Sequence, residues 1–175
     1  MNQPWWHPSV PAGTIPKVVA RDLVLVQKPG LVVWAGAITV FPEGFEFTLL
    51  TMFDRSGEES PGDFALFPSE RKSKTWLELR YADGRHREAD LNENTPRGLS
   101  EGLQLTLQDG SADWSEGWLR HVWWVTPLPP PGPVDLIIHI AGEKNPTEKG
   151  TLDGGVLMDA ARHAEVLWPA RNGDR

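Results

Sequence analysis

The chain has 175 residues, with 17 Lys and Arg against 24 Asp and Glu, a formal net charge of -7 and no cysteine. A chain of this length buries roughly 70% of its extended-state surface as one domain, and the missing thiols exclude disulfide frameworks, thiolate metal sites and cysteine nucleophiles. The acidic balance argues against nonspecific nucleic-acid binding, whose main term is phosphate neutralisation by Lys and Arg, and no apolar run approaches the ~18 to 20 residues of a membrane helix.

Residues 1–16 read as an extended arm. Pro4, Pro8, Pro11 and Pro16 each deny a backbone donor and push the preceding residue toward extended geometry. The arm has no basic cluster ahead of an apolar region, so it is not a secretory signal, and a cytoplasmic protein is expected. Trp5 and Trp6 are expected to pin it, either along its own domain or on a second copy or partner, because each buried indole covers ~150 to 250 Å².

Residues 17–175 read as a single all-β domain, a β-sandwich of immunoglobulin-like or jelly-roll type with a short C-terminal helix. The reason is the run of short β-branched and aromatic segments punctuated by turn residues. Val18 to Gln27 and Leu31 to Phe41 flank Lys28-Pro29-Gly30, with proline where φ is fixed and glycine where φ can be positive. In Phe45 to Phe53, Phe45, Phe47 and Leu49 alternate with Glu46 and Thr48, as a half-buried strand requires. Asp63 to Phe67 is a shorter candidate. In Thr75 to Ala82, Trp76, Glu78 and Arg80 face one side and Leu77, Leu79 and Tyr81 the other, and Asp83-Gly84 then predicts a hairpin into His86 to Leu91.

Leu103 to Leu107, Trp114 to Val125 and Val134 to Ile140 complete a set of about nine strands. Between the last two, Pro127 to Pro133 cannot join a central ladder, so it is expected to bridge from one sheet to the other. Asp153 is placed to cap a helix from about Gly154 to Ala164 with Val156, Leu157, Ala160, Ala161 and Ala164 as its apolar stripe. Leu167, Trp168 and Pro169 would close it against the sandwich.

Chemistry-bearing patterns are sparse. The serines form no nucleophile elbow, and His7, His86, His121, His139 and His163 have no metal-ligand spacing, so no catalytic residue, metal or cofactor is expected. His121 and His139 could meet only if the fold made their strands neighbours. Asp109 to Glu116 carries oxygens at alternating positions but lacks the glycine and bidentate acid of a calcium loop, so a solvated acidic turn is expected there. Glu46 and Glu78 are nominal candidates for paired carboxylates, with outward-facing polar strand positions as the simpler account. The basic residues from Arg71 to Arg87 are nearly neutralised by interleaved acids.

Tryptophan is the unusual resource, at nine residues. Trp123 and Trp124, adjacent on a strand, must point to opposite faces. One enters the core, and its neighbour either faces outward or lies beneath a covering segment. The segment Trp123-Trp124-Val-Thr-Pro-Leu-Pro-Pro-Pro-Gly-Pro-Val, taken with Pro42-Glu-Gly-Phe-Glu-Phe, Leu79-Arg-Tyr-Ala-Asp-Gly-Arg, Asp159-Ala-Ala-Arg and Leu167-Trp-Pro, resembles a family of small uncharacterised actinobacterial proteins over about Val18 to Pro169. The resemblance implies one compact domain and no catalytic residue.

The expected function is a non-enzymatic binding or assembly module working through protein contacts or self-association. Its contact residues would be Trp5, Trp6, the outward member of Trp123 and Trp124, and the bridge rim at Pro129 and Pro130. Two alternatives stand beside it. One is a carbohydrate-binding module stacking sugars on exposed tryptophans. The other is an enzyme in which two of His121, His139, Glu46, Glu78 and Asp135 converge.

Overall fold

The computed structural model describes residues 11, 13–54, 75–91, 96–97, 102–113, 116–140 and 148–167. Trp5, Trp6 and most of the arm, the strand expected at Asp63 to Phe67, Trp114, and Trp168-Pro169 lie outside the described residues. In chain order the elements are β1 (Thr14–Ile15), β2 (Lys17–Lys28), β3 (Leu31–Val40) and β4 (Phe45–Phe53). Then come β5 (Trp76–Tyr81), β6 (His86–Asp90), β7 (Pro96–Arg97), β8 (Gln104–Asp113) and β9 (Trp118–Thr126). The last are β10 (Pro133–His139), β11 (Glu148–Asp153), α1 (Gly154–Arg162) and β12 (Glu165–Val166).

The architecture is an all-β sandwich with a short C-terminal helix. Sheet I has the strand order β2-β3-β4-β9-β8 and sheet II the order β11-β10-β5-β6-β7, both antiparallel. Thr14 and Ile15, assigned above to the arm, instead pair with β12 in a small separate ribbon.

Period-two alternation decides which residues meet between the sheets. Phe45, Phe47 and Leu49 from β4, Leu77, Leu79 and Tyr81 from β5, Trp123 and Val125 from β9, and Val134, Leu136 and Ile138 from β10 share one core. Leu157 and Ala161 of α1 join it, and Asp153 caps the helix by accepting a 2.7 Å bond from the Gly155 N–H. At one side the sheet edges touch, since a Cβ on Gly150 of β11 would stand 2.5 Å from Leu23 and Leu25 of β2. No helix among the described residues is long and apolar enough to cross a membrane.

Two further segments differ from the sequence expectation. Asp109 to Asp113 is not a turn but the second half of β8, paired with Val122 back to Trp118. In that geometry Asp109, Ser111 and Asp113 sit in a row on one face about 6.8 Å apart, and Asp109 is paired with Arg120. Glu148–Asp153, for which the sequence predicts no strand, is edge strand β11.

The proline segment crosses between the sheets as expected, with a cis peptide at Thr126-Pro127. The Tyr81 hydroxyl donates to the Pro127 carbonyl at 2.9 Å, Pro129 is buried and Pro130 half-buried, and the Gly132 carbonyl accepts from the Gly154 N–H at 2.7 Å. The bridge is thus fastened to β5 on one side and to the start of α1 on the other.

The turn from β3 to β4 is pressed onto β9. A Cβ at Gly44 would collide with the Val125 carbonyl oxygen and come within 2.9 Å of the Trp124 ring. Gly84, in the predicted β5 to β6 hairpin, differs: its φ of 88° requires glycine, but the space around it is open. Gly44→Ala is therefore expected to lower stability by about 2 to 3 kcal/mol, because backbone must move. Gly84→Ala should lower it by only about 1 kcal/mol of left-handed strain. Urea unfolding of the two variants checks the order.

Candidate functional site

The two outer faces of the sandwich differ in chemistry. On sheet II the outward residues are Trp76, Glu78 and Arg80 on β5, and Asp135, Ile137 and His139 on β10, with Asp135 opposite Arg80, Ile137 opposite Glu78 and His139 opposite Trp76. Glu78 is only 5% exposed. Its Oε1 accepts from the Arg80 guanidinium, its Oε2 lies 2.8 Å from His139 Nε2, and the His139 ring stacks on Trp76 at 4.6 Å between centroids. Burial pushes the Glu78 carboxyl up, but the hydrogen bonds from His139 and Arg80 outweigh it and hold the group below its usual range. Asp135 is arranged alike. Burial opposes its charge, Lys149 at 2.9 Å and the Thr151 hydroxyl at 2.6 Å favour it, and the balance is a lowered pKa.

Sequence reasoning asked whether two of His121, His139, Glu46, Glu78 and Asp135 meet, and Glu78 and His139 do. Their chemistry is self-contained. Both Glu78 oxygens are engaged, and no hydrogen bond joins His139 Nδ1 to a serine or threonine among the described residues. The pair locks β5 to β10 rather than presenting a base to a nucleophile.

The other candidates are kept apart. His121 points inward from β9, 5% exposed, and burial pulls its pKa from 6.5 to about 4, so it is neutral near pH 7. It lies in sheet I and His139 in sheet II, so they form no pair, and no three metal-ligating side chains cluster among the described residues. Glu46 and Glu78 stand on opposite outer faces, separated by more than the ~10 Å sheet-to-sheet spacing and so beyond the reach of paired glycosidase carboxylates.

Of the expected contact residues, Trp123 and Trp124 do point to opposite faces, but neither is outward in the sense of exposed: Trp123 is 1% and Trp124 2% exposed. Trp123 fills the core, and its indole N–H has no acceptor among the described residues. Trp124 is sealed by Phe41, edge-on at 5.5 Å, and by the turn at Gly44. Thr126 Oγ1, donating to the Glu43 carbonyl at 2.9 Å, holds that turn down. A contact role for Trp123, Trp124 and buried Pro129 is corrected on this ground: the covering segment belongs to the chain itself.

What the sequence reading missed is the rest of that outer face. Two adjacent rows cross sheet I there. One runs Val32, Met52 and Trp118, and the next Val24, Trp34, Leu50 and Arg120. Val24 and Met52 are 49% and 50% exposed, while Val32, Trp34, Leu50 and Trp118 are half-buried. The signal was present in β4: its outward positions begin polar at Glu46 and Thr48 and turn apolar at Leu50 and Met52.

No family model, curated protein or solved structure matches the chain.

The buried histidine gives a pH dependence whose sign follows from linkage. Unfolded, His121 takes a proton as pH falls below about 6.5; folded, it resists until about 4. Stability is therefore full above that window and falls through it, by at most about 3 kcal/mol, with a further loss at lower pH as Glu78 protonates. Urea unfolding at pH 7.5, 6 and 5 is expected to show this decline, and His121→Leu to flatten it.

Proposed function

We propose that the protein is a non-enzymatic binding module that docks a protein partner on the outer face of sheet I. One observation carries this reading: Val24, Val32, Trp34, Leu50, Met52 and Trp118 occupy neighbouring outward positions, with Val24 and Met52 exposed and the other four half-buried. Scattered surface hydrophobes need no explanation; these six are contiguous across four neighbouring strands, and that contiguity supports the reading. Two of its members are tryptophans, the residue type most enriched at the energetic centre of interfaces.

The outer face of sheet II offers the opposite. Its charged side chains on β5, β10 and β11 already engage one another through the Glu78, His139 and Arg80 cluster and the Asp135, Lys149 and Thr151 cluster. A partner there would have to break existing pairs before making new ones.

Glycan stacking would draw on the same two rings, Trp34 and Trp118. Between them lie Leu50 and Met52, which offer sugar hydroxyls no hydrogen bond, so protein contact is the better-supported reading.

The test is a photo-reactive residue placed at position 52, compared with one at position 151 on the opposite sheet, in cells that make the protein natively. A discrete protein adduct is expected from position 52 alone, and it should vanish when Val24→Glu is added. Equal labelling from both positions, or no adduct from either, overturns the reading.

A further inference from the structure

The apolar block is too small to be a whole interface, and that makes its surroundings informative. Each outward position on a sheet occupies about 4.8 by 6.8 Å, so six positions cover on the order of 200 Å², against roughly 800 Å² per partner in a standard interface. Most of any contact would fall on the rim, which is where charge selects the partner.

The rim on this face is acidic. Asp22 on β2 is exposed and stands opposite Gly36 of β3. Asp109 on β8 is exposed beside Val122, and Glu46 on β4 lies between Thr39 and Trp124. The one cation among these rows, Arg120, is engaged by Asp109 at 2.8 Å. Glu46 has no comparable ion pair among the described residues: burial raises its pKa, and Arg120 only partly opposes the shift. The chain as a whole carries -7.

Resting on the docking face proposed above, we infer that its occupant is a basic-rimmed apolar surface, with leucine- or valine-type groups at the centre and lysine or arginine around them. A second copy is disfavoured by the same geometry, because a two-fold contact would set the acidic rim of one chain against that of the other. A lysine or arginine seated beside Glu46 or Asp22 would instead supply a paired cation that neither carboxylate has among the described residues.

Two synthetic twelve-residue peptides test this, one alternating leucine with lysine and the other leucine with glutamate, titrated into the full chain with tryptophan emission as readout. The leucine-lysine peptide is expected to bind and the leucine-glutamate peptide not. Binding should weaken about tenfold or more between low and high salt, and Asp22→Lys with Glu46→Lys should reverse the preference. Met52→Glu separates seating on the face from bulk attraction. It adds negative charge, so mere electrostatic capture of a basic peptide would tighten, whereas a peptide seated on the apolar rows is lost.

Equal binding of both peptides, tighter binding by the Met52→Glu variant, or a sedimenting dimer of the chain alone overturns the inference. Those outcomes leave the adduct at position 52 standing, so a wrong partner chemistry and a wrong docking face are told apart. If that adduct also fails, both fall.

Discussion

Strand β9 is buried on both of its faces, and much of the structure follows from that demand. From Leu119 to Val125 only Arg120 escapes burial. The odd-numbered residues can be satisfied by the opposing sheet, and Trp123 is the largest side chain that enters the core this way. The even-numbered ones face out of the sandwich, where no second layer exists in a two-sheet architecture. Trp124 is accommodated because the β3 to β4 turn folds back across it, with Phe41 against its ring and Gly44 letting backbone approach backbone. That cover is local. Trp118, on the same face and six residues earlier in the chain, lies beside Met52 and is left half-buried.

The two outer faces then show two solutions to the same problem. Sheet II has polar outward positions and pairs them across strands: Glu78 to His139 and Arg80, Asp135 to Lys149 and Thr151. Pairing is forced where burial is deep, since a carboxylate as enclosed as Glu78 without cationic donors would be strongly destabilising. The stacked Trp76 and His139 rings cover that cluster's apolar edge. Among the described residues, sheet I has apolar outward positions that are fully buried at the Val122 and Trp124 end and only partly buried beyond it. The contrast is a property of sequence parity within strands, so it is fixed before any tertiary contact forms.

Much of this was legible in the residues. The alternation in β4 and β5, the Pro-Gly and Asp-Gly turns, the proline bridge and the Asp153 cap each have a local physical cause, and each appears where its cause is. What was not legible has causes at a distance. Lys149-Gly150 disfavours a strand, and the segment becomes β11 because β10 offers an unpaired edge and because Gly150 lets Leu23 and Leu25 approach. Asp109 to Asp113 looks like a turn because its residues favour turns. It is a strand because β9 presents a full ladder to it. For the site, period-two arithmetic put Trp123 and Trp124 on opposite faces correctly but could not say that a turn some eighty residues earlier would cover the second. The open rows lay in the outward parity of β3 and β4, where Trp34, Leu50 and Met52 were counted as strand formers and not followed across the sheet.

A face that is apolar at its centre invites indiscriminate association, and the strand edges around it are built against that. The β2 edge of sheet I is pressed against β11, so both of those strands are screened from added chains. The edge of sheet II at β7 is two residues long and begins with a proline, which donates nothing to a ladder. The remaining edge, β8, carries Asp109 and Asp113 around Gly110 and Ser111, charges and small residues that make strand addition unfavourable. With edge pairing discouraged and an acidic rim repelling a like face, the apolar rows of sheet I are left to side-chain contact with a surface of opposite charge. Specificity then comes from what the rim rejects as much as from what the tryptophans attract.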